Sequence, residues 1–145
     1  MCCLHPDYMP SVKISHCVIC DGVRPELSNK LTLLGFFGIT PNVEVRLGTV
    51  SLPVDELTFI LIGSVSGSAG SAEVAFELFD WSDSSIFSVS KSHDIKPVER
   101  SNFIFNVRSL KFPHTGRYKI RMRVDGRVIY NTDFLISEGP AQLPN

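Results

Sequence analysis

The first twenty residues hold the side chains that are best suited to binding a metal. These are cysteines and histidines: Cys2, Cys3, His5, His16, Cys17 and Cys20. Zinc binds cysteine sulfur and imidazole nitrogen, and a Cys-x-x-Cys pair has the spacing of a zinc knuckle. A knuckle holds that pair on a tight turn, whereas Cys17 and Cys20 lie in a segment rich in Ile and Val. That composition predicts a strand, in which residues three apart face opposite sides.

We therefore favour buried structural cysteines over metal ligands, since free cysteine is among the most buried residue types. No cofactor is expected. A small metal-binding protein or an enzyme built around Cys17, Cys20 and His16 is the least favoured of the alternatives.

The sequence lacks the arrangements that are typical of enzymes. It contains no Gly-x-Ser-x-Gly elbow, and His93 and Asp94 are neighbours in a predicted polar loop, where they would rarely orient each other as triad members do. The Ser- and Gly-rich residues 66–71 lack the Lys-Ser/Thr pair of a phosphate-binding loop. We therefore expect that the protein is not an enzyme.

One predicted strand carries a stripe of positive charge. Its members alternate with apolar residues and so share one face over ~20 Å. They are Arg117, Lys119, Arg121 and Arg123. The stripe could bind an anion, a small ligand or nucleic acid, although few aromatic residues interleave with it to stack bases. The competing interpretation is a solvated face that acidic residues such as Glu73 and Glu77 partly neutralise. The net charge of −1 favours this interpretation and argues against nucleic-acid binding.

An aromatic pair forms a second candidate contact. Phe79 and Trp81 share the outward parity of Glu73 and Glu77 along their predicted strand. An outward aromatic pair beside an apolar hairpin edge indicates either a covering loop or a contact with another protein. The sequence leaves both interpretations open.

These candidates depend on a hairpin in the last third of the chain. Residues 118–124 alternate strictly between apolar and basic side chains, which is typical of a half-buried strand. Asp125 and Gly126 tolerate the positive φ angles that a type I′ turn requires. The inward set of the returning strand is predicted to be Val128, Tyr130, Thr132, Phe134 and Ile136. A hairpin with one apolar face needs a second sheet to cover it.

The rest of the chain predicts that second sheet. Strands are expected at residues 13–20, 30–37, 57–65, 72–81 and 101–107, with marginal strands at 43–47 and 86–89. Residues 57–65 are apolar on both faces and so predict a central strand. Residues 91–100 are predicted to be a polar loop, and no helix is expected. The pattern predicts an all-β fold, either a two-sheet sandwich or a barrel.

The spacing of Gly116 and Tyr118 favours the sandwich. It resembles the tyrosine corner of immunoglobulin-like domains, in which the tyrosine hydroxyl bonds back to the main chain across the corner. The inter-sheet disulfide of those domains has no counterpart, because Ile120 stands two residues after the tyrosine. We therefore predict an immunoglobulin-like antiparallel β-sandwich of about seven to nine strands.

Several motifs together resemble a family of small uncharacterised bacterial proteins. They are CDGVR at 20–24, KLTLLGFFG at 30–38, the Leu-Pro pair at 52–53, and the segment from Pro113 through Tyr118 to the VDG at 124–126. The family pattern runs CDxVR, GKLxLxGxY and PGxYxxxxxVDG, and this chain departs from it at Asn29, where the family usually has Gly. The resemblance covers roughly residues 13–137. It implies an immunoglobulin-like sandwich in a bacterial cytosol and brings no activity with it.

Length and composition limit the remaining choices. The chain of 145 residues suits one domain, which we place at residues 13–137, between a disordered or extended lead-in at 1–12 and a loose tail at 138–145. Residues 1–15 lack the pattern of a signal peptide, and no apolar run is long enough to span a membrane. We therefore expect a cytoplasmic protein with reduced cysteines and no membrane partner.

The leading hypothesis is a non-catalytic interaction or accessory module. It would bind another protein or a second copy of itself through an exposed strand edge or through Phe79 and Trp81. The alternative function is an anion or small-ligand binder that uses the basic face from Arg117 to Arg123.

Overall fold

The computed structural model describes residues 10–50 and 52–139. In these ranges the chain forms nine strands and one short 3-10 turn at Leu27–Asn29. The strands are β1 (Ser11–Pro25), β2 (Leu31–Ile39), β3 (Glu44–Leu47), β4 (Val54–Ser66), β5 (Gly70–Asp80), β6 (Ser85–Ile95), β7 (Val98–Leu110), β8 (Gly116–Val124) and β9 (Arg127–Glu138).

The strands pair into two sheets that pack face to face. The four-stranded sheet has the order β2-β1-β4-β7, and the five-stranded sheet has the order β3-β9-β8-β5-β6. Within the latter, β9-β8-β5-β6 follows the G-F-C-C′ order of immunoglobulin variable domains, and β1-β4-β7 follows A-B-E. The predicted immunoglobulin-like sandwich is confirmed. Among the described pairings, β3 with β9 departs from the antiparallel rule and is parallel.

Aromatic side chains fill the space between the sheets. The ring of Phe59 on β4 lies 5.0 Å from that of Phe76 on β5 and 5.8 Å from that of Phe134 on β9, so one residue of the four-stranded sheet contacts two strands of the other. Tyr118 and Phe112 are fully buried beside them. Tilted and edge-on contacts of this kind add to the stabilisation from buried area.

The polar segment at residues 91–100 is not a loop, contrary to the prediction. Residues 91–95 belong to β6 and residues 98–100 belong to β7, so Lys96 and Pro97 alone join the two strands. The ladder with β5 continues from the Lys91 and Val74 pair to the Ile95 and Gly70 pair. Because β6 is an edge strand, its main chain can pair on one side while polar side chains face water.

The first strand is longer than predicted at both ends. It starts at Ser11, inside the expected lead-in, and continues past Asp21 and Gly22 to Pro25. Pairing of β1 with β4 stops at Cys20, and from Gly22 onward β1 pairs with β2 alone. Residues 21–34 therefore form a two-stranded ribbon, which we call the arm. The loose tail predicted at 138–145 starts too early, because Glu138 is the last residue of β9 and accepts a hydrogen bond from the amide of Val50. Residues 1–9 and 140–145 lie outside the described residues.

The inward set predicted for β9 is wrong at one position. A bulge opposite Met122 and Arg123 shifts the register, so that Val128 faces Arg123 and is 37% exposed. Phe134 and Ile136 are buried as predicted. The intervening turn has φ angles of 50° at Asp125 and 80° at Gly126, which suits the expected type I′ hairpin. The prediction assumed strict alternation along β9, and a bulge adds one residue that alternation does not reveal.

Candidate functional site

The candidate metal ligands are not brought together. Cys17 lies in the core between the sheets, whereas Cys20 belongs to a separate cluster on the outside of the four-stranded sheet. Burial raises the pKa of Cys17 to about 12, and the hydrogen bond with Thr40, which acts to lower this pKa, is the smaller effect. Burial also raises the pKa of Cys20, whose thiol donates to the carbonyl of Gly22. A raised pKa disfavours the thiolate, which is the form that binds metal and attacks as a nucleophile.

His16, the third member of that alternative, is exposed and contacts Ser15. In the described ranges no three Cys, His, Asp or Glu residues lie together as a metal site would require. Cys2, Cys3 and His5 lie outside the described residues.

The basic stripe and the aromatic pair form one surface on the outside of the five-stranded sheet. The guanidinium carbon of Arg121 lies 4.7 Å from the centre of the Phe79 ring, and the ammonium of Lys119 lies 4.8 Å from that of Trp81. Aromatic rings therefore do interleave with the stripe, in contrast to the expectation. Phe79 lies on β5, which pairs with β8 so that Phe79 stands opposite Lys119, and Trp81 lies in the turn that follows β5. Trp81 is 56% exposed.

Most of the positive charge on this surface is neutralised. Three of the four cations have a carboxylate partner within 3 Å: Arg117 with Asp133 at 2.9 Å, Lys119 with Asp83 at 2.8 Å and Arg123 with Glu77 at 2.7 Å. Arg121 has no acidic partner in the described part of the chain, and its Nε donates to Asn131 at 3.3 Å. Glu73 accepts instead from the hydroxyl of Ser90. The charge that is left for an anion is that of Arg121.

Gly116 and Tyr118 form the corner between β7 and β8. Gly116 has a φ of 128°, a conformation that suits glycine. The fully buried Tyr118 sends its hydroxyl back to the main chain of His114, four residues upstream. This is the geometry of a tyrosine corner, so both residues serve the fold here.

The outside of the four-stranded sheet is apolar, which sequence reasoning missed. Val18 lies opposite Ile39 on one side and Ile60 on the other, and Ile60 lies opposite Ile104. Four aliphatic side chains thus form a row across β2, β1, β4 and β7 on the face that points away from the core. Val18 and Ile60 in its middle are buried, at 6% and 3% exposure, whereas Ile39 at its β2 end is 48% exposed. We call this row, together with Leu34 and Phe36 of β2, the apolar face. The signal for it was the run at residues 57–62, which is apolar at both parities.

The apolar face is open at its β2 side. β2 is the first strand of its sheet and pairs with β1 alone. Besides Ile39, three of its large apolar residues are exposed, at 38% for Leu33, 46% for Leu34 and 57% for Phe36, whereas Leu31 and Phe37 are half-buried. Leu27, at the tip of the arm, is 91% exposed. Exposed apolar residues are thus concentrated on β2 and at the tip of the arm.

Within residues 10–50 and 52–139, no helix has the length and hydropathy that crossing a bilayer demands.

The profile of a family of unknown function (DUF6941) matches residues 15–137, which span the domain from β1 to β9. The chain belongs to this family. The resemblance inferred from the motifs is thus confirmed in one respect: the chain belongs to an uncharacterised family. No curated protein sequence matches the chain.

Solved structures offer weaker likenesses. An immunoglobulin-like protein from Pseudomonas aeruginosa is 11% identical with a TM-score of 0.40, over 87% of this chain and 96% of that one. A Pseudomonas fluorescens alkylpurine DNA glycosylase, bound to DNA containing an abasic site analog, is 12% identical with a TM-score of 0.45, over 87% of this chain and 30% of that one. A glycosyl hydrolase family 2 member from Bacteroides cellulosilyticus is 12% identical with a TM-score of 0.43, over 84% and 26%. The chain thus spans less than a third of the last two proteins, and their activities are not assigned to this chain.

Proposed function

We propose that this member of the family is a non-catalytic protein-interaction module that docks its partner on the apolar face and on the open edge of β2. The observation that carries the proposal is the exposed β2 end of the apolar face, where Leu34, Phe36 and Ile39 are 46%, 57% and 48% exposed. An antiparallel sheet with one face on the core commonly turns polar residues outward on the other. The opposite sheet of this domain does so, with its paired charges.

The partner that fits this surface is an extended apolar segment of another protein, added as a strand beside β2. Leu33 and Leu34 alternate in direction along β2, and both are exposed. Side chains on both faces of β2 are therefore accessible to a strand that would pair with its open edge. Strand addition gains main-chain hydrogen bonds along the edge and contacts to alternate side chains.

The arm gives a second reason for strand addition. An isolated two-stranded ribbon is marginally stable in water, whereas three strands with an apolar face hold together. A partner strand would complete the arm to three strands. Arg24 and Glu26 of the arm pair with each other at 2.7 Å, so neither of these two charges is left to select a charged partner.

The backbone limits where the added strand can pair. Gly35 has a φ of 62°, and the β1–β2 ladder shifts register at Cys20, opposite Phe36. Such irregularities end regular pairing. Residues 31–34 are therefore the stretch open to continuous pairing, while Phe36 and Ile39 offer side-chain contact beyond it. We also propose that the module works in the cytosol, where its buried thiols Cys17 and Cys20 would stay reduced.

A displayed peptide library tests this function. Peptides selected on the intact chain should share an extended pattern of alternating apolar residues, and hydrogen exchange should slow at residues 31–34 when they bind. The variant Leu34→Lys/Phe36→Lys should lose binding, whereas Trp81→Ala on the other sheet should keep it. All these side chains are exposed, so each change should alter the free energy of unfolding by about 0.5 kcal/mol or less.

Three outcomes contradict the proposal. One is the absence of an enriched peptide pattern. Another is equal binding of the selected peptides by the Leu34→Lys/Phe36→Lys variant. The third is a dimer of the isolated chain in analytical ultracentrifugation that this double variant dissociates, because the occupant of the face would then be a second copy.

Anion binding is the second candidate function, and the observation in its favour is Arg121. This cation stacks on Phe79 and has no carboxylate partner in the described ranges, next to an exposed Trp81. An anionic group attached to a planar ring could contact all three side chains.

A further inference from the structure

The sandwich is open on the side where β6 and β7 lie. These are edge strands of different sheets, and they follow each other directly through Lys96 and Pro97. A cleft of about 340 Å³ lies between them near this connection. Its lining includes Val65, His93, Ile95, Phe103 and Phe105. This volume falls in the range of small-molecule sites and is about ten times the share of one water molecule.

His93 lines this cleft and carries a buried, unpaired polar atom. It stands opposite Ala72 in the β5–β6 ladder, and Ala72 belongs to the core, so the imidazole points between the sheets. Its Nε2 is buried and has no hydrogen-bond partner among the described residues. Buried polar atoms of folded proteins are nearly always paired, and an unpaired one calls for an explanation.

The walls around His93 are apolar. Ile95 is 4% exposed and Phe103 is 8% exposed. Phe105 stacks on the core residue Phe76 with ring centres 4.7 Å apart, which fixes its orientation. Asp94 and Lys96 also line the cleft, and their charges are of opposite sign. An uncharged ligand therefore suits this site better than an ion.

The geometry points to a binding site for a small neutral aromatic alcohol, held by its ring against Phe103 and Phe105 and by its hydroxyl on His93 Nε2. The ring matches the apolar walls. The hydroxyl can donate or accept a hydrogen bond, so it pairs with either tautomer of the imidazole. This site lies at the opposite edge of the four-stranded sheet from β2, and it is independent of the proposed protein-docking surface.

Two probes of nearly equal shape test the site. Titration of ¹⁵N-labelled protein with p-cresol should shift the amide resonances of residues 93–96 and 101–105 in a saturable way. Toluene, which lacks the hydroxyl, should bind about tenfold more weakly, because one hydrogen bond is lost. His93→Leu should remove this preference for p-cresol, whereas His16→Leu, at an exposed histidine, should leave it unchanged.

Several results would overturn the assignment. One is a p-cresol titration whose shifts do not saturate below about 10 mM, and another is shifts that fall outside the cleft. Equal binding of p-cresol and toluene, or a preference for p-cresol that persists in His93→Leu, would also contradict it. If His93→Leu does not fold, Ser101→Trp at the cleft lining replaces it. This variant should block both probes, and unchanged binding of p-cresol would equally contradict the site.

Discussion

The hydroxyl of Tyr118 donates a hydrogen bond to the main-chain carbonyl oxygen of His114 at 2.6 Å, across the corner between β7 and β8. The amide of His114 donates back to the same hydroxyl at 3.3 Å, and the two rings stack with centres 5.5 Å apart. The imidazole of His114 also lies 3.8 Å from the carboxylate of Asp80, at the end of β5. One side chain thus connects the corner to the turn between β5 and β6.

Removal of this hydroxyl should weaken the fold without disturbing the core. In Tyr118→Phe the ring keeps its contact with Phe112, whose centre lies 4.9 Å away. The carbonyl of His114 loses its donor, so the free energy of unfolding should fall by about 1 kcal/mol in urea denaturation. Tyr130→Phe, at a half-buried residue of β9, is the control and should change little. Equal effects of the two substitutions would deny the corner a special role.

The turn after β5 should make stability depend on pH. The hydroxyl of Ser82 and the amides of Ser82 and Ser84 all donate to Asp80, and these hydrogen bonds hold the pKa of its carboxyl below the ordinary value. A carboxyl with a lowered pKa in the folded state stabilises fully above its unfolded pKa, and this stabilisation is lost as the pH falls through the folded pKa. Asp80→Asn should therefore lower the melting temperature at pH 7, with a difference that shrinks below about pH 4.

Asp21 provides a matched comparison of opposite sign. Burial and the neighbouring Glu56 raise the pKa of its carboxyl, so the folded state disfavours the charged form. Asp21→Asn should raise the melting temperature at pH 7, and the gain should vanish as the pH falls and the wild-type carboxyl takes up a proton. Thermal melts of the three proteins across this pH range check both signs. A change in the same direction for both variants would refute the assigned causes.

A close approach of two backbones should make Gly63 sensitive to substitution. Gly63 of β4 lies beside the bulge of β1 between Ile14 and His16. A Cβ atom at this position would overlap the carbonyl group of Lys13, which is main chain and cannot rotate away. Gly63→Ala should therefore cost about 2 kcal/mol or more of unfolding free energy. Gly48→Ala, where a Cβ would meet no atom within 4 Å, should cost far less. Similar urea midpoints for the two variants would contradict the close contact.

Local pattern was enough to predict the β8–β9 hairpin and its turn. Alternation with a period of two and an Asp-Gly pair act within a few residues, and the turn has the two positive φ angles they require. The strands at residues 91–95 and 98–100 were missed because the local pattern of their side chains does not indicate a strand. Most of their side chains are polar, and main-chain pairing makes them strands: residues 91–95 pair with β5 and residues 98–100 lie where β7 pairs with β4.

Both candidate surfaces depend on register between distant segments. Ile39, Val18, Ile60 and Ile104 come from four strands and meet only because each ladder aligns them. Likewise Phe79 and Arg121 are 42 positions apart and meet because β5 pairs with β8. The type of each residue was visible in the sequence, but the register that makes a row or a stacked pair was not.

The stacked pair of Arg121 and Phe79 leads to a prediction about salt. Each phosphate contact made by a free cation releases counterions, and for single strands the slope of log K against log salt is about −0.7 per contact. Because Arg117, Lys119 and Arg123 already have carboxylate partners, binding of a fluorescent oligothymidylate should be weak and its slope should be close to that of one contact. Fluorescence anisotropy at low and moderate salt measures both quantities.

Arg121→Gln should then abolish the residual binding of the oligothymidylate. Arg108→Gln, which removes the same charge from β7 of the other sheet, should leave that binding unchanged. A slope of about −3 in the wild type, or equal losses in the two variants, would contradict the prediction. The steeper slope would mean that the three ion pairs open to phosphate and that the stripe binds as a unit. Equal losses would mean that net charge alone governs the attraction and that stacking on Phe79 does not select Arg121.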